Sequence, residues 1–196
     1  MTLPPQSNND RGWFSARTIL WALVPGIGLR RAQADGTASV LFTLRAVFTS
    51  FVMALIMFGV VLAFIGGSSD SERTGPSASV VAAGIVAYGL TSLVVPRLIE
   101  RPLSCDSEAA LVSGYRTRFF LRVAFAEAAA LLGFVGVFLS GETWMYPLGA
   151  AFTAVGFARL APTRRNLERD QEALNLAGCG LSLTSLLVTA VNVPSP

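Results

Sequence analysis

Four stretches of this chain are long and apolar enough to cross a bilayer, which leaves it few folds to choose from. They cover about residues 43–66 ("TLRAVFTSFVMALIMFGVVLAFIG"), 78–97, 119–140 and 143–161. A crossing helix needs roughly 20 apolar residues. Hydrocarbon offers no partner to backbone N–H and C=O groups, so each segment must close its hydrogen bonds within itself, as a helix does. The sequence therefore predicts an all-α integral membrane protein, with a four-helix bundle over 43–161. Composition agrees, since 53% of the 196 residues are hydrophobic and mean hydropathy is +0.58, against an apolar share of ~45–50% in ordinary soluble domains.

Arginine sets the expected orientation. Arg11, Arg17, Arg30, Arg31 and Arg45 precede or open the first segment. Arg97, Arg101, Arg116, Arg118 and Arg122 flank the connection between the second and third, a charged arm over 98–118, and Arg159, Arg164, Arg165 and Arg169 end or follow the fourth. Arg73 stands alone on the other side. Cytoplasmic flanks carry the excess of basic residues, so both termini are expected in the cytoplasm, with the chain a multi-pass protein of the plasma (bacterial inner) membrane. Arg30/Arg31 and Arg164/Arg165 sit beside spans, where they suit anionic lipid headgroups rather than nucleic acid. Cys105 and Cys179 fall on the same side and are expected to remain reduced thiols.

The two ends read differently from the bundle. Residues 1–12 are polar and Pro/Asn-rich, with the composition of a disordered tail, and no cleaved signal peptide is expected. Residues 13–31 contain an apolar run broken by Pro25 and Gly26, flanked by Arg11, Arg30 and Arg31 and carrying Trp13 and Trp21, which fits an interfacial helix better than a distorted span. Residues 162–196 read as a cytoplasmic or interfacial helical tail. Its charged first helix opens at Pro162 and divides at Gly178 and Gly180 from a short apolar piece that Ser182 can cap. A fifth span over 173–193 has the length but carries too many Asn, Ser and Thr to be preferred.

Chemistry is sparse. The chain has no histidine, which removes the commonest metal ligand and the usual general base. "PGIGLRRAQADG" lacks the Gly-Lys-Ser/Thr ending of a phosphate loop. No spacing of carboxylates makes a catalytic pair, so no enzyme activity, metal or cofactor is expected. Lipid is as apolar as leucine, so the spans must associate through small residues. Ala126, Ala130, Gly133 and Gly136 on the third span, Gly84 and Gly89 on the second, and Gly156 on the fourth are the expected packing positions. Residues 44–67 can be laid over 118–141 with Gly59 on Gly133 and Gly67 on Gly141, so the bundle also reads as a duplicated helical hairpin.

One acid interrupts the third span. Glu127 in "RVAFAEAAALLGFVGVFL" lies roughly 7–8 Å beyond Arg122 at ~1.5 Å per residue, inside the apolar stretch where a carboxylate is costly. Ser50, Thr91 and Ser92 fall at a similar depth, with Arg159 available as a counter-charge. Three roles stay open: a structural tie between helices, a contact with a partner subunit, or a proton-binding carboxyl.

"FAEAAALLGFVGVFL" within 118–140 resembles the ion-binding helix of the ATP synthase c-type proteolipids, with Glu127 on the ion-binding carboxylate and Gly133 on the family's following glycine. The resemblance implies a proton or ion role for Glu127. It covers about this one helix, and the preceding helix reads "AAGIVAYG" where the family has a long Gly-x-Gly run. The residues as a whole fit a non-enzymatic multi-pass protein, an accessory or scaffold subunit of a membrane complex. Its partners would be the bilayer and either another protein or a second copy within the membrane. The alternative is a proton- or ion-binding carrier or c-like proteolipid using Glu127.

Overall fold

The computed structural model describes residues 39–65, 76–99 and 103–188. They form α1 (Val40–Ile65), α2 (Ala78–Ile99), α3 (Glu108–Ser140), α4 (Met145–Leu160), α5 (Arg164–Leu176) and α6 (Leu183–Val188), with no β-strand among them. The tail over 1–12 and the helix expected over 13–31 lie outside the described residues.

Helices α1, α2 and α3 are long and apolar enough to cross a membrane. Their outward faces carry Met57, Phe64, Val80, Leu90, Leu131 and Phe138, with Phe64 86% exposed. An unbroken belt of large side chains of this kind is unfavourable in water and suits lipid. The fourth apolar stretch forms α4, whose 16 residues span about 24 Å, short of the usual crossing length. It nonetheless returns along α3, with Gly149 against Gly133 and Gly156 against Ala126, so its last turn reaches the depth of Arg122.

At the centre stands α3. Its buried residues run Leu111, Tyr115, Phe119, Val123, Ala126, Ala130, Gly133 and Val137, steps of three and four that keep one face inward for the whole length. Ser107 caps the start, accepting from the Ala110 N–H at 3.2 Å. Gly141 ends it at φ 79°, its N–H donating to the Val137 carbonyl, a left-handed position that glycine takes without a steric cost. The expected span over 119–140 is thus the distal part of a longer helix. The charged arm over 98–118 is helical from Glu108 onward, because Leu111 and Tyr115 continue the apolar stripe while Arg116 points to solvent.

Two cores result. The first, around Leu62, Ile85, Val137 and Met145, lies near the α3–α4 turn. The second is larger and sits at the arginine-rich end, where Leu41, Leu44, Leu111, Phe119, Leu167, Leu174, Leu183 and Leu187 pack together. Here the tail becomes a cap on the bundle rather than a free arm. Thr163, not Pro162, caps α5, and the Cys179 N–H closes its far end onto the Leu174 carbonyl at 3.0 Å, with Gly178 at φ 82°. Gln171 then spans the corner, accepting from the Leu183 N–H at 2.6 Å and donating to the Leu181 carbonyl at 3.2 Å. The break between α5 and α6 rules out a continuous helix over 173–193, so the fifth-span alternative fails.

The cysteines depart from expectation. Cys105, just before α3, is bonded to Cys179 in the α5–α6 turn, with Cα atoms 5.8 Å apart. A sequence separation of 74 residues hid the pairing, which arises because α5 folds back against the start of α3. The duplicated hairpin finds no counterpart in the packing: α4 lies along α3, whereas α1 packs on α3 and α6.

Candidate functional site

The seam between α3 and α4 is built from absent side chains. A Cβ on Gly133 would lie 2.7 Å from the Met145 carbonyl oxygen, and one on Gly156 would lie 2.8 Å from the Ala126 Cβ. Gly149 is more tightly enclosed, against the Ala129 carbonyl and the Gly133 Cα. Gly136 receives Ile85 and Val81 from α2, and Gly89 of α2 receives the ring of Phe152. Ala126 and Ala130 are buried in the same seam. Close backbone approach of this kind is what holds helices together where burial supplies no drive.

Thr153 locks the register. Fully buried, its hydroxyl donates to the Ala126 carbonyl at 2.7 Å and accepts from the Ala130 N–H at 3.1 Å. One side chain of α4 thereby engages both ends of a single hydrogen-bonding step in the α3 ladder. Tyr146 at the other end donates to the Leu55 carbonyl of α1, so three helices share the seam.

Gly84 departs from its expected role. It is exposed, with nothing within 4 Å of where its Cβ would be. The inward face of α2 is Ile85, Gly89, Ser92 and Pro96, and Ala83, Gly84, Ala87 and Thr91 face outward. On α2 the sequence offered small residues on both sides, and the larger Ile85 fixed which side turned in.

Glu127 is half-buried and makes no hydrogen bond or ion pair among the described residues. The hydroxyls expected around it are committed elsewhere. Ser50 donates to the Ala46 carbonyl, Thr91 to that of Ala87 and Ser92 to that of Gly89, at 3.0, 2.7 and 2.8 Å. Arg159 makes no ion pair with it and lines a cavity.

That cavity is the most chemically distinctive feature of the described residues. It opens at the arginine-rich end between α2, α3, α4 and α5, encloses about 380 Å³, and is lined by Arg118, Arg122, Arg159 and Arg169 together with Asp170. Each element supplies its charge for a local reason. Arg118 and Arg122 are one turn apart on α3. Arg159 ends α4, and Arg169 reaches it from α5, donating to the Arg159 carbonyl at 3.2 Å. Such a bond satisfies one of the carbonyls a helix end leaves open. Asp170 accepts from the Tyr115 hydroxyl at 3.3 Å, which fixes α5 against α3. Ser92, Leu93, Pro96 and Leu160 complete a partly apolar wall.

Sequence reasoning treated these arginines as markers of orientation and missed their convergence. The available signal was the four-residue spacing of Arg118 and Arg122 together with the Pro162 corner that turns Arg169 back toward Arg159.

The chain matches no protein-family model, no curated protein and no solved structure.

Proposed function

We propose that this is a non-enzymatic multi-pass membrane component, an accessory or scaffold subunit that works by associating with another helix within the bilayer. The observation that carries this reading is the outward face of α2. Ala83, Gly84 and Ala87 stand exposed beside Thr91, a small-residue surface of the type through which membrane helices approach closely. No described helix of the chain covers it. In this reading α4 is the fourth crossing, because it returns to the depth of Arg122, and both termini lie with the arginines on the cytoplasmic side of the plasma membrane.

Ion transport through Glu127 has less support. No described polar group meets its carboxyl, and the hydroxyls of Ser50, Thr91, Ser92 and Thr153 are bonded to backbone. A proton pathway needs a succession of such groups.

The test is a photo-crosslinking residue placed at Ala87 in native membranes. A discrete protein adduct, either a dimer or one heavier partner, is expected, and Gly84→Leu should reduce its yield about tenfold by blocking approach, equivalent to ~1.4 kcal/mol. Adducts with lipid alone, in protein shown to be folded, would remove the association reading. Turnover of a substrate by the purified chain would remove the non-enzymatic one.

A further inference from the structure

We propose that the arginine-walled cavity holds the phosphate of an anionic phospholipid headgroup drawn from the adjoining leaflet. Charge is the first argument. Four guanidinium groups and one carboxylate line the space, and the carboxylate already accepts from Tyr115. The planar guanidinium fork matches phosphate oxygens and binds them through paired, charge-assisted hydrogen bonds. Arg159 is exposed, and its guanidinium has no hydrogen-bond or ion-pair partner among the described residues.

Size and depth give the second argument. A volume of about 380 Å³ falls in the ~300–1,000 Å³ range of small-molecule pockets, enough for a headgroup but not for a whole lipid. The cavity lies where α3 and α4 pass from their apolar belt into the charged cap, which is the level of headgroups in a crossing bundle.

The third argument separates a lipid from a soluble anion. Leu93, Pro96 and Leu160 form part of the wall, and next to Leu93 α2 presents Leu90 at 56% exposure. Leu90 lies one turn from Leu93 on the side away from the charged cap, so the apolar wall continues onto the lipid-facing surface of α2. A phosphate bound at the arginines thus has a place for its acyl chains. Leu93 and Pro96 lie on a different face of α2 from Ala83, Gly84 and Ala87, so the phosphate site stands independently of the association reading, whereas Leu90 borders the association face.

The experiment uses the purified full chain in a neutral detergent. Dioleoylphosphatidylglycerol, dioleoylphosphatidylcholine and sodium phosphate are the three probes, with lipid adducts counted by native mass spectrometry and stability followed by thermal melting. The phosphatidylglycerol is expected to bind at least tenfold more tightly than the phosphatidylcholine and to raise the melting temperature. Arg159→Gln is expected to reduce that affinity about tenfold, the loss of one charge-assisted pair. Arg165→Gln, outside the cavity, should leave it unchanged. Arg159→Lys guards against a folding defect, since it keeps the charge, loses the fork and should bind with intermediate affinity. Equal binding of the two lipids, or unchanged affinity in both Arg159 variants, would overturn the proposal. Sodium phosphate matching the phosphatidylglycerol in protection would overturn the lipid assignment in favour of a soluble phosphate.

Discussion

Gly149→Val is expected to lower the melting temperature of the purified protein by roughly 10 °C, because it separates the two most closely packed helices. The added Cβ would collide with the Ala129 carbonyl and approach the Gly133 Cα at 3.1 Å. All of these atoms are backbone, so no side chain can rotate away, and α4 must shift as a body. Overpacking alone costs about 1–3 kcal/mol where side chains can yield, and here the Thr153 bonds to Ala126 and Ala130 would be lost with it. Breaking a buried hydrogen bond adds about 1–3 kcal/mol. At ~2–4 °C per kcal/mol for a chain of this size, the sum gives the expected shift. Gly84→Val is the matched control, since nothing lies within 4 Å of that position, and melting in detergent should stay within about 1 °C. Equal effects of the two substitutions would mean that the α3–α4 seam is not where the stability resides.

The second large effect concerns Cys105 and Cys179. Opening their bond is expected to destabilise the helical cap by roughly 2–4 kcal/mol, the usual worth of a link closing a long loop. The separation of 74 residues favours the upper end, and helices that remain inserted when the cap unfolds favour the lower, because they already restrict the open chain. Arginine bias and the disulfide point in different directions. The first is the pattern of a cytoplasmic flank, whereas disulfides persist mainly outside the cytoplasm. Burial reconciles them in part. Cys179 is only 7% exposed and Cys105 partly exposed, and exchange requires access for an attacking thiolate, so the Cys179 sulfur is shielded from soluble reductants while the cap stays folded and attack is confined to the Cys105 side. Membranes quenched with an alkylating reagent before lysis should therefore yield the pair oxidised, and Cys105→Ser should melt several degrees below the parent. A free, fully alkylated pair together with unchanged melting would count against both parts.

Much of the architecture was legible because a bilayer restricts what an apolar run can do. The helices over 43–65, 78–97 and 119–140 followed from length and composition, and Gly133, Gly136, Gly89 and Gly156 from small size at helical spacing. Gly84 was not separable from these, since a lone α2 presents small residues on two faces and only Ile85 and the partner helix select one. The helical cap was harder to see. Leu111 and Tyr115 continue the stripe of α3, but Arg116 and Arg118 dilute it enough to read as a charged arm. The cavity and the disulfide both depend on one tertiary event, the fold-back at Pro162 that brings α5 against α3. No local pattern encodes a contact between Tyr115 and Asp170, and the same fold-back carries Arg169 to Arg159 and Cys179 to Cys105. Glu127 shows the opposite case. An acid within an apolar run was conspicuous in the sequence, yet the hydroxyls at its depth turned to their own backbones, as serine and threonine commonly do in helices.

The claim on which orientation, cap and cavity all depend is that α4 crosses the bilayer and returns the chain to the arginine-rich side. Single cysteines introduced at Glu142, in the α3–α4 turn, and at Arg165, in α5, with the native pair left oxidised, can be probed with a membrane-impermeant maleimide on sealed vesicles of known orientation. The expected result is labelling of Glu142→Cys from one side of the membrane only and of Arg165→Cys from the other only. Labelling of both positions from the same side would contradict the fourth crossing.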